Sequence, residues 1–409
     1  MRMAGEMTVP VLYVSYDGVL DPLGSSQVVP YVAGLAEHGF SPTLISFEKP
    51  GRWAQAEAGR QTRRGLAARG VRWIPLRYHK RPRLAATALD VIAGRRAIAR
   101  EWARSAPRLV HCRGDVAGLM ARWAPLPSTC RFLYDVRGFF SDERVETGSW
   151  RRGGLLDRAV RHAEAGNLER ADGAVVLTQH AARALRERRP SLPTLRVVPT
   201  CVDESAFRPR AADRTPEFGL AYVGSVGTWY MADAMVSFAR LAAAAGARRA
   251  LFLTPEPEEI ARRGATADWA EVRTVPPRAV AEWLPRATAM FFFIKPVPSK
   301  RASCPTKFAE SLASGLPVVC NRGIGDLDDI VEREGVGVLI DEFSESAYRV
   351  ALRRLEDLLR DPGLSERCRR LAETRYSVRL GVRAYRELYD ELLTCAVAPS
   401  PAPQLESLS

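Results

Sequence analysis

Residues Phe291–Gly325 read FFFIKPVPSKRASCPTKFAESLASGLPVVCNRGIG and carry the clearest fold signal of the sequence. This stretch begins as a buried apolar strand that ends near Ile294, continues through a polar loop and a short helix, and resumes as a second strand, Pro317–Cys320. Two strands joined through a helix form a βαβ unit, in which both strands run parallel in one sheet. The pattern indicates an α/β protein, and ligands of such sheets bind in the loops that follow the strands.

The same alternation of strand and helix runs through the chain in two sets. The first set of predicted strands is Val9–Tyr16, Pro42–Glu48, Val71–Pro75, Arg108–Arg113, Arg131–Arg137, Gly173–Thr178 and Leu195–Thr200. The second set is Gly219–Gly224, Arg249–Leu253, Glu271–Val275, Ala289–Ile294, Pro317–Cys320 and Gly335–Ile340. A single open sheet of about thirteen strands would be unusually large, so we expect two doubly wound, Rossmann-like domains.

The boundary between the two domains is expected in the segment 203–218, which is rich in Pro, Arg and Asp. We predict domains over residues 1–205 and 206–376, followed by a helix over residues 377–395. The remaining residues, 396–409, contain prolines and serines and few apolar side chains, which predicts a disordered tail.

Composition excludes several classes of protein. The 409 residues are 46% hydrophobic and 26% charged, an ordinary globular balance. No apolar run approaches the roughly 18–20 residues of a membrane span, and the N-terminus shows no signal-peptide pattern. The seven cysteines are scattered without Cys-x-x-Cys pairs, which argues against a disulfide scaffold or a zinc site and favours reduced thiols. We therefore expect a cytoplasmic protein.

The net charge of +13 lies in the first half of the chain. Residues 1–200 contain 32 Lys and Arg against 18 Asp and Glu, whereas residues 201–409 contain 28 against 29. This asymmetry predicts a polyanionic partner, such as an anionic lipid surface, a phosphate-bearing substrate or a nucleic acid. The alternative is that dispersed arginines simply occupy exposed helix faces.

The helix inside the opening stretch has the features of an anion site. Pro305 suits a first helical turn, and Ser303 is the candidate N-cap. The backbone amides of Thr306 and Lys307 would then be free at a helix N-terminus that follows a strand, and the Lys307 side chain adds a formal charge. These features predict a site for a nucleotide phosphate.

The surrounding residues extend that prediction. Lys300 and Arg301 lie in the preceding loop, and Glu310 follows about one turn into the helix, where its carboxylate can reach a diol beside a bound phosphate. The competing interpretation is an ordinary capped helix with surface lysines.

Residues 305–319 read P-T-K-x-x-E-x-x-A-x-G-x-P-V-V, which resembles the donor-nucleotide signature of retaining, GT-B fold glycosyltransferases of family four. Four further segments are similar to the bacterial cell-surface polysaccharide branch of that family, in the same order along the chain. They are VLYVSYDGVLDPLGSSQVVPYVAGLAEHGFSPTLISFEKP, FLYDVRGFFSDERV, VVPTCVDESAF and YVGSVGTWYMADAM. The resemblance implies an N-terminal acceptor domain, a C-terminal nucleotide-sugar domain and a last helix that returns to the N-terminal domain.

The resemblance also implies roles for individual residues. Glu310 corresponds to the glutamate that binds the donor ribose, and the amides of Thr306 and Lys307 correspond to those that hold the diphosphate. Two glycine loops are implied to face the donor phosphates, and their matching residues are Gly24, Ser25, Gly224 and Ser225.

Near the donor sugar, Asp135 and Arg137 occupy the region where many relatives place a histidine. Asp135 could bind sugar hydroxyls, and Arg137 could offset phosphate charge.

The sequence departs from the family pattern at two places. The usual motif has a glutamate eight positions before Glu310, and this sequence has Ala302 there. The role of that glutamate could pass to Ser303. The basic residue expected a few positions after Gly224 is absent, and Lys300, Arg301 or Lys307 could supply that charge. Catalysis is therefore assigned to four residues, namely Asp135, Arg137, Lys307 and Glu310.

The implied reaction transfers a sugar, of hexosyl type, from a nucleoside diphosphate to an acceptor hydroxyl with retention, without metal or other cofactor, in polysaccharide or glycoconjugate synthesis. A polyprenyl-linked glycan at the inner face of the plasma membrane would account for the basic N-terminal half, with the protein bound peripherally.

Several alternatives stay open. The same fold suits a nucleotide-sugar epimerase or a phosphorylase, and Ala302 leaves room for a non-catalytic nucleotide-sugar-binding relative. A nucleic-acid-binding protein is unlikely, because aromatics do not interleave with the basic residues. His111 is a ligand or a structural histidine, and Trp229-Tyr230 stacks on a ligand or fills the interdomain core. The Asp142-Glu143 and Asp326–Asp329 carboxylates favour helix caps and solvated faces over a metal site.

Overall fold

The computed structural model describes residues 8–54, 56–211 and 213–394. In these residues the strands are β1 Val9–Ser15, β2 Phe40–Glu48, β3 Arg72–Arg77, β4 Leu109–Arg113, β5 Arg131–Asp135, β6 Gly173–Val176, β7 Thr194–Val197, β8 Phe218–Val223, β9 Ala250–Leu253, β10 Ala270–Arg273, β11 Ala287–Phe292, β12 Val318–Asn321 and β13 Gly337–Ile340. Every predicted strand is present, within a few residues of its predicted ends. The proposed tail, 396–409, lies outside the described residues, as does residue 395 of the last predicted helix.

Helices fill the intervals between the strands. The α-helices are α1 Pro22–Gln27, α2 Val29–Glu37, α3 Pro50–Trp53, α4 Ala56–Ala68, α5 Arg83–Ser105, α6 Asp115–Trp123, α7 Phe140–Glu146, α8 Leu155–Arg170, α9 Gln179–Arg188, α10 Ala232–Ala244, α11 Pro257–Ala261, α12 Val280–Trp283, α13 Thr306–Ala313, α14 Leu327–Glu334, α15 Glu345–Leu359, α16 Leu364–Leu371 and α17 Val378–Thr394. Short 3₁₀ turns include Pro298–Ala302, called the β11 turn below, and a π-helical turn spans Ala372–Tyr376.

The strands form two parallel sheets, ordered β3-β2-β1-β4-β5-β6-β7 and β10-β9-β8-β11-β12-β13. Both follow the doubly wound order 3-2-1-4-5-6, in which the chain reverses direction across the sheet between its first and fourth strands. The prediction of two Rossmann-like domains is confirmed. The proposed domain boundary, 205/206, falls in the segment between β7 and β8.

The strands are buried because helices cover both faces of each sheet. In β11 the side chains of Met290, Phe291 and Phe292 are inaccessible to solvent, and they pack in the core of the second domain on both sides of the strand. The uninterrupted apolar run FFFI is thus the sequence signature of a central strand.

The last helix, α17, packs on the first domain, as expected. Tyr385, Leu388 and Tyr389 of α17 share a buried cluster with residues of β1, β4 and β5. The helix approaches α2 so closely that a Cβ on Gly34 would lie 2.5 Å from a Val382 methyl. The chain therefore passes from the first domain to the second and returns.

Two local predictions are wrong. The helix expected from Gln27 to His38 is broken at Val28, whose φ of −123° separates α1 from α2. The helix α13 begins at Thr306 with Pro305 at its N-cap, and no side chain caps it. Ser303 is therefore not the N-cap, because it lies in extended backbone between the β11 turn and the helix.

Candidate functional site

The candidate site lies where the strand order of each sheet reverses. In the second domain this point falls between β8 and β11, which are followed by the Gly224 loop and the β11 turn. In the first domain it falls between β1 and β4, which are followed by Tyr16-Asp17 and Gly114. Such points form the ligand crevices of open parallel sheets.

Lys307 is the central cation of the second-domain crevice. Its side chain is 7% exposed, and its Nζ donates a hydrogen bond to the Tyr230 hydroxyl at 2.9 Å and lies 4.1 Å from that ring's centre. Within the described residues, no carboxylate forms an ion pair with Lys307. A buried ammonium held by an aromatic ring and one hydroxyl is suited to an incoming anion.

The N-terminus of α13 supplies further donors. In the described chain no backbone or side-chain oxygen accepts the amide of Thr306 or of Lys307, so these two N–H groups are free where the helix dipole is positive. Glu310 follows on the same helix and is half-buried. Burial raises the pKa of its carboxyl, and the Lys307 charge opposes that shift.

Gly224 is required by this arrangement. Its φ is +118°, and a Cβ at this position would lie 2.5 Å from the Lys307 Nζ. The loop that follows is held by Glu256, whose Oε2 accepts the amide of Val226 at 3.1 Å. Ser225 is exposed beside this loop. The structure thus brings together Gly224, Lys307 and Tyr230, and α13 carries Thr306 and Glu310 beside them.

The β11 turn projects into the first domain. The Lys300 Nζ lies 3.6 Å from the centre of the Trp229 ring and pairs with the Glu143 carboxylate of α7 at 2.6 Å. The Ser299 amide donates to Glu146 at 3.1 Å. Lys300 is therefore neutralised across the domain boundary, unlike Lys307.

The remaining residues of that segment point away from Lys307. Arg301 is exposed, with a guanidinium nitrogen 3.5 Å from Nε2 of His180 on α9. Ser303 lines a separate cavity of about 280 Å³ beside the π-helical turn. Ala302 is 2% exposed and packs in the core of the first domain. Only Lys300 of the predicted loop residues thus approaches the aromatic pair, and a carboxylate at position 302 would enter an apolar core.

The first-domain crevice contains a cavity of about 250 Å³ at the ends of β1, β4 and β5. Tyr16, Asp17, Arg113, Arg137 and Glu143 line it. Glu143 is the partner of Lys300, so this cavity adjoins the β11 turn. Lys300, which contacts both Trp229 and Glu143, therefore links the two crevices.

Asp135 lies beneath that cavity and is fully buried. It accepts hydrogen bonds from Arg137 at 3.2 Å and from the Tyr385 hydroxyl of α17 at 3.1 Å. Burial would raise the pKa of Asp135, but Arg137, His111 and Arg113 hold it well below its usual range. With these partners Asp135 holds Arg137 and Arg113 at the edge of the cavity.

His111 completes this network. Burial lowers the pKa of His111, with Asp135 opposing, so the imidazole is neutral. Its Nε2 donates to Asp135 at 3.3 Å, and its Nδ1 accepts the Tyr389 hydroxyl at 2.8 Å. Of the two interpretations of His111, the structure supports the structural one.

Two carboxyls beside this network retain protons near neutral pH. Asp115 accepts a hydrogen bond from the Tyr134 hydroxyl. It lines the 250 Å³ cavity and also a neighbouring cavity of about 540 Å³, which Glu164 lines as well. Burial raises the pKa of Asp115 to about 6, with a further contribution from the Glu143 charge, and burial together with the Asp115 charge raises the pKa of Glu164 to about 7. A protonated carboxyl here can donate a hydrogen bond to a ligand oxygen.

The Gly24–Ser26 segment lies in α1 and is closely packed against the loop before it. A Cβ on Gly24 would lie 2.0 Å from the Gly18 carbonyl oxygen, and Ser25 donates its hydroxyl to the Pro22 carbonyl at 2.9 Å. The loop before it is held by the buried Glu48 carboxylate, which accepts the Val19 amide at 2.9 Å. Among the described residues, nothing joins this segment to Lys307.

Sequence reasoning missed the partners that come from other elements. Glu143 was assigned to a helix cap or a solvated face and Glu146 was not singled out, yet both bind the β11 turn. Asp326 accepts the Gln179 amide of α9 at 2.8 Å, which joins the domains a second time. Arg113 was not singled out, although its position at a strand end was a usable signal.

Two further features concern metals and membranes. The residues that the structure describes contain no group of three or more His, Cys, Asp or Glu side chains arranged to hold a metal ion. Within the same residues no helix combines the length and apolarity of a bilayer span. A groove of about 1230 Å³ runs along α2 and α17, and both arginines and carboxylates line it.

Comparison with known proteins agrees with this architecture. The sequence profile described as Glycosyltransferase Family 4 matches residues 26–206. A comparison with curated protein sequences finds no match.

Solved structures match both domains. Sucrose-phosphate synthase from Thermosynechococcus elongatus is 16% identical, with a TM-score of 0.72 over 95% of this chain and 100% of that one. HepE from Anabaena, in complex with UDP and glucose, is 12% identical, with a TM-score of 0.65 over 93% and 99% of the chains. A glycosyltransferase from Rickettsia africae is 14% identical, with a TM-score of 0.64 over 95% and 100%. At these identities the likeness concerns the fold, which is the GT-B architecture.

Proposed function

We propose that the protein is a nucleotide-sugar-dependent glycosyltransferase of GT-B type. The observation that carries the proposal is the buried Lys307 ammonium, which pairs with no carboxylate of the described residues and lies beside two free amides at the switch point of the second domain. The family match over the first domain and the fold neighbours support the same class.

The donor is proposed to bind the second domain. Its diphosphate would meet Lys307 and the amides of Thr306 and Lys307, and the Glu310 carboxylate would accept the ribose hydroxyls. Charge that develops on the leaving diphosphate would be stabilised by donors already in place, so we propose that no metal or other cofactor takes part. HepE binds UDP and glucose, which makes UDP-glucose the first hexosyl donor to try.

The reaction is proposed to proceed with retention. The bond from the anomeric carbon to the diphosphate oxygen breaks, and the bond to the acceptor oxygen forms on the same face of the sugar. The proton of the acceptor hydroxyl passes to an oxygen of the leaving diphosphate. Arg137 and Arg113, oriented by Asp135, would face the acceptor side of this exchange.

The acceptor is proposed to enter the first-domain cavity. Asp17, Asp115 and Glu143 line that cavity and suit the hydroxyls of a glycan. A polyprenyl-linked glycan at the inner face of the plasma membrane would also suit the basic first half of the chain. We therefore propose a cytoplasmic, peripherally bound enzyme of cell-surface polysaccharide or glycoconjugate synthesis.

Ala302 favours one second candidate. The family motif has a glutamate at this position, whereas Ala302 has no carboxylate and packs in the core of the first domain. A protein that binds a nucleotide sugar without transferring it would tolerate this loss.

The first test is thermal unfolding with UDP, GDP, ADP and TDP, with and without EDTA. A ligand at about 100 times its Kd stabilises by roughly 2.7 kcal/mol. We expect one nucleotide to stabilise the protein, EDTA to leave that effect unchanged, and Glu310→Gln to abolish it. Glu356→Gln, on the exposed face of α15, is the matched control. Failure of every nucleotide to stabilise the protein would contradict the proposal.

The second test supplies the matching nucleotide sugar and follows its fate. Transfer to an added glycan acceptor would support the transferase. An altered sugar on the nucleotide would indicate an epimerase, and release of sugar phosphate in inorganic phosphate would indicate a phosphorylase. Binding without turnover would favour the second candidate.

A further inference from the structure

Helix α5 presents an unusual surface to solvent. Its side chains are buried on one face at Ala86, Val91, Gly94, Ala97 and Ile98. The opposite face carries large apolar side chains near its start, with Leu84 66%, Leu89 56% and Ile92 43% exposed. Apolar side chains so grouped on a single exposed helix face mark an interaction surface.

The same face becomes basic further along the helix. Arg95, Arg96 and Arg100 are exposed and follow the apolar group by one to three turns. Among the described residues, no carboxylate forms an ion pair with any of the three. The two acidic residues of α5, Asp90 and Glu101, are 0% and 2% exposed. This face, called the α5 face below, is therefore apolar and cationic without a competing negative charge.

The α5 face lies at the edge of the first-domain crevice. Asp90, on the buried side of α5, accepts a hydrogen bond from the Tyr16 hydroxyl at 2.8 Å, and Tyr16 lines the cavity assigned to the acceptor. Since α5 follows β3, its apolar start lies at the edge of the sheet where the strands end and ligands bind. A partner that covers the α5 face would thus adjoin the acceptor cavity.

We propose that the α5 face docks the protein on an anionic lipid bilayer. Leu84, Leu89 and Ile92 enter the boundary between headgroups and acyl chains, and the three arginines contact anionic headgroups. The helix of 23 residues is about 34 Å long and would lie flat on the membrane. A protein partner would have to bring an acidic surface with its own apolar patch, whereas an anionic bilayer supplies both features.

The inference rests on the proposed function for its purpose, since docking here holds a lipid-linked acceptor beside the cavity. Binding of the α5 face to a bilayer does not itself require transferase activity. The two proposals can therefore fail separately.

The test is co-sedimentation of the full chain with phosphatidylcholine vesicles, with and without phosphatidylglycerol. We expect binding that requires phosphatidylglycerol and weakens with salt. The triple variant Leu84→Gln, Leu89→Gln, Ile92→Gln should lower the partition coefficient at least about tenfold, because each side chain loses apolar burial. The control Val350→Gln, Leu359→Gln alters exposed apolar residues of α15 and should bind as the parent does.

Charge variants test the second half of the α5 face. Each arginine beside an anionic surface contributes about fivefold in binding at low salt. Arg96→Gln, Arg100→Gln should therefore weaken binding about 25-fold, whereas Arg353→Gln, Arg354→Gln on α15 should not. The proposal is supported if vesicle binding loses its salt dependence in the Arg96→Gln, Arg100→Gln variant and keeps it in the α15 variant.

Several results would overturn the proposal. They are equal binding of parent and triple variant, absence of binding to anionic vesicles, and a parent dimer that the triple variant dissociates. Preference for single-stranded DNA over vesicles would also overturn it. Stabilisation by the donor nucleotide serves as the separate readout, because the triple variant should retain it fully. Loss of that response in the parent would contradict the proposed function and leave the docking result intact.

Discussion

Both sheets have the same strand order, and in both a cation is buried at the point where that order reverses, but the two cations differ in their partners. In the first domain Arg137 and Arg113 lie 3.2 and 3.7 Å from the buried Asp135 carboxylate, and Arg113 also lies 3.5 Å from the Asp17 carboxylate. In the second domain Lys307 has a hydroxyl and two aromatic rings. One crevice is neutralised within the protein, whereas the other leaves a positive charge for a ligand.

This difference shows how one architecture can supply two kinds of site. A buried charge costs free energy unless it is paired, so the unpaired Lys307 is a cost that an anionic ligand can offset. The carboxylates beside the first-domain arginines offset most of that cost, and their crevice suits neutral hydroxyl groups. Strand order fixes where ligands bind, and local charge pairing determines which ligands bind there.

The largest expected effect comes from breaking the pair in the first domain. Asp135→Asn leaves two arginines without their buried carboxylate and should destabilise the protein by about 3–5 kcal/mol. Urea denaturation measures the change. Asp21→Asn, which removes a carboxylate paired with the exposed Lys49, should cost less than about 1 kcal/mol. Equal costs for the two variants would refute the contrast drawn between paired and unpaired crevices.

The next effect comes from removing the unpaired cation of the second domain. Lys307→Met should lower kcat/KM for transfer about 10²–10³-fold, because a preformed charge on the diphosphate is lost. The unfolding free energy should stay nearly constant, since the burial cost of the ammonium is removed while its favourable effect on the Glu310 carboxyl is lost. Lys295→Met, in the exposed part of the same loop, is the control. A destabilised Lys307→Met protein would show that Lys307 has a buried partner after all.

A smaller effect tests the backbone around that cation. Gly224→Ala would strain a φ of +118° and place a methyl 2.5 Å from the Lys307 Nζ. Displacement of Lys307 should weaken binding of the stabilising nucleotide at least about tenfold, as measured by calorimetric titration. Gly227→Ala lies three residues away with nothing within 4 Å of its Cβ, so its affinity should match the parent. Similar affinities for both variants would remove Gly224 from the site.

The sequence was sufficient for the strands because each central strand must be apolar on both faces. The apolar run Phe291–Ile294 ends at a polar loop that begins with Lys295, which predicts a short buried strand. The intervals between predicted strands had the lengths of ordinary helices. The N-cap of α13 was misplaced by two residues, at Ser303 instead of Pro305, because proline suits both the first turn and the N-cap.

The partners within the site were beyond prediction, since they join distant parts of the chain. Glu143 and Lys300 are 157 residues apart, and Tyr385 reaches Asp135 across 250 residues. The sequence places Asp135 at the end of a strand, where it could face the crevice or the core. Asp135 is buried because α17 returns to the first domain and places Tyr385 and Tyr389 against this network.

The smallest effect concerns protons in the first-domain crevice. Burial raises the pKa of Glu164 to about 7, so the folded protein binds a proton more tightly than the unfolded chain. That contribution is complete below pH 4.5 and disappears as pH rises through 7. Because the charge of Asp115 contributes to the shift of Glu164, we expect a loss on the order of 1–2 kcal/mol between pH 5 and 8.

His111, whose pKa burial lowers, acts with the opposite sign below its ordinary pKa, so the profile must be compared with a variant. Glu164→Gln should flatten the upper part of the profile, as measured by urea midpoints at each pH, while leaving nucleotide stabilisation unchanged. If the variant and the parent lose stability equally, the first-domain crevice holds no shared proton, and its neutrality rests on the arginine pairs alone.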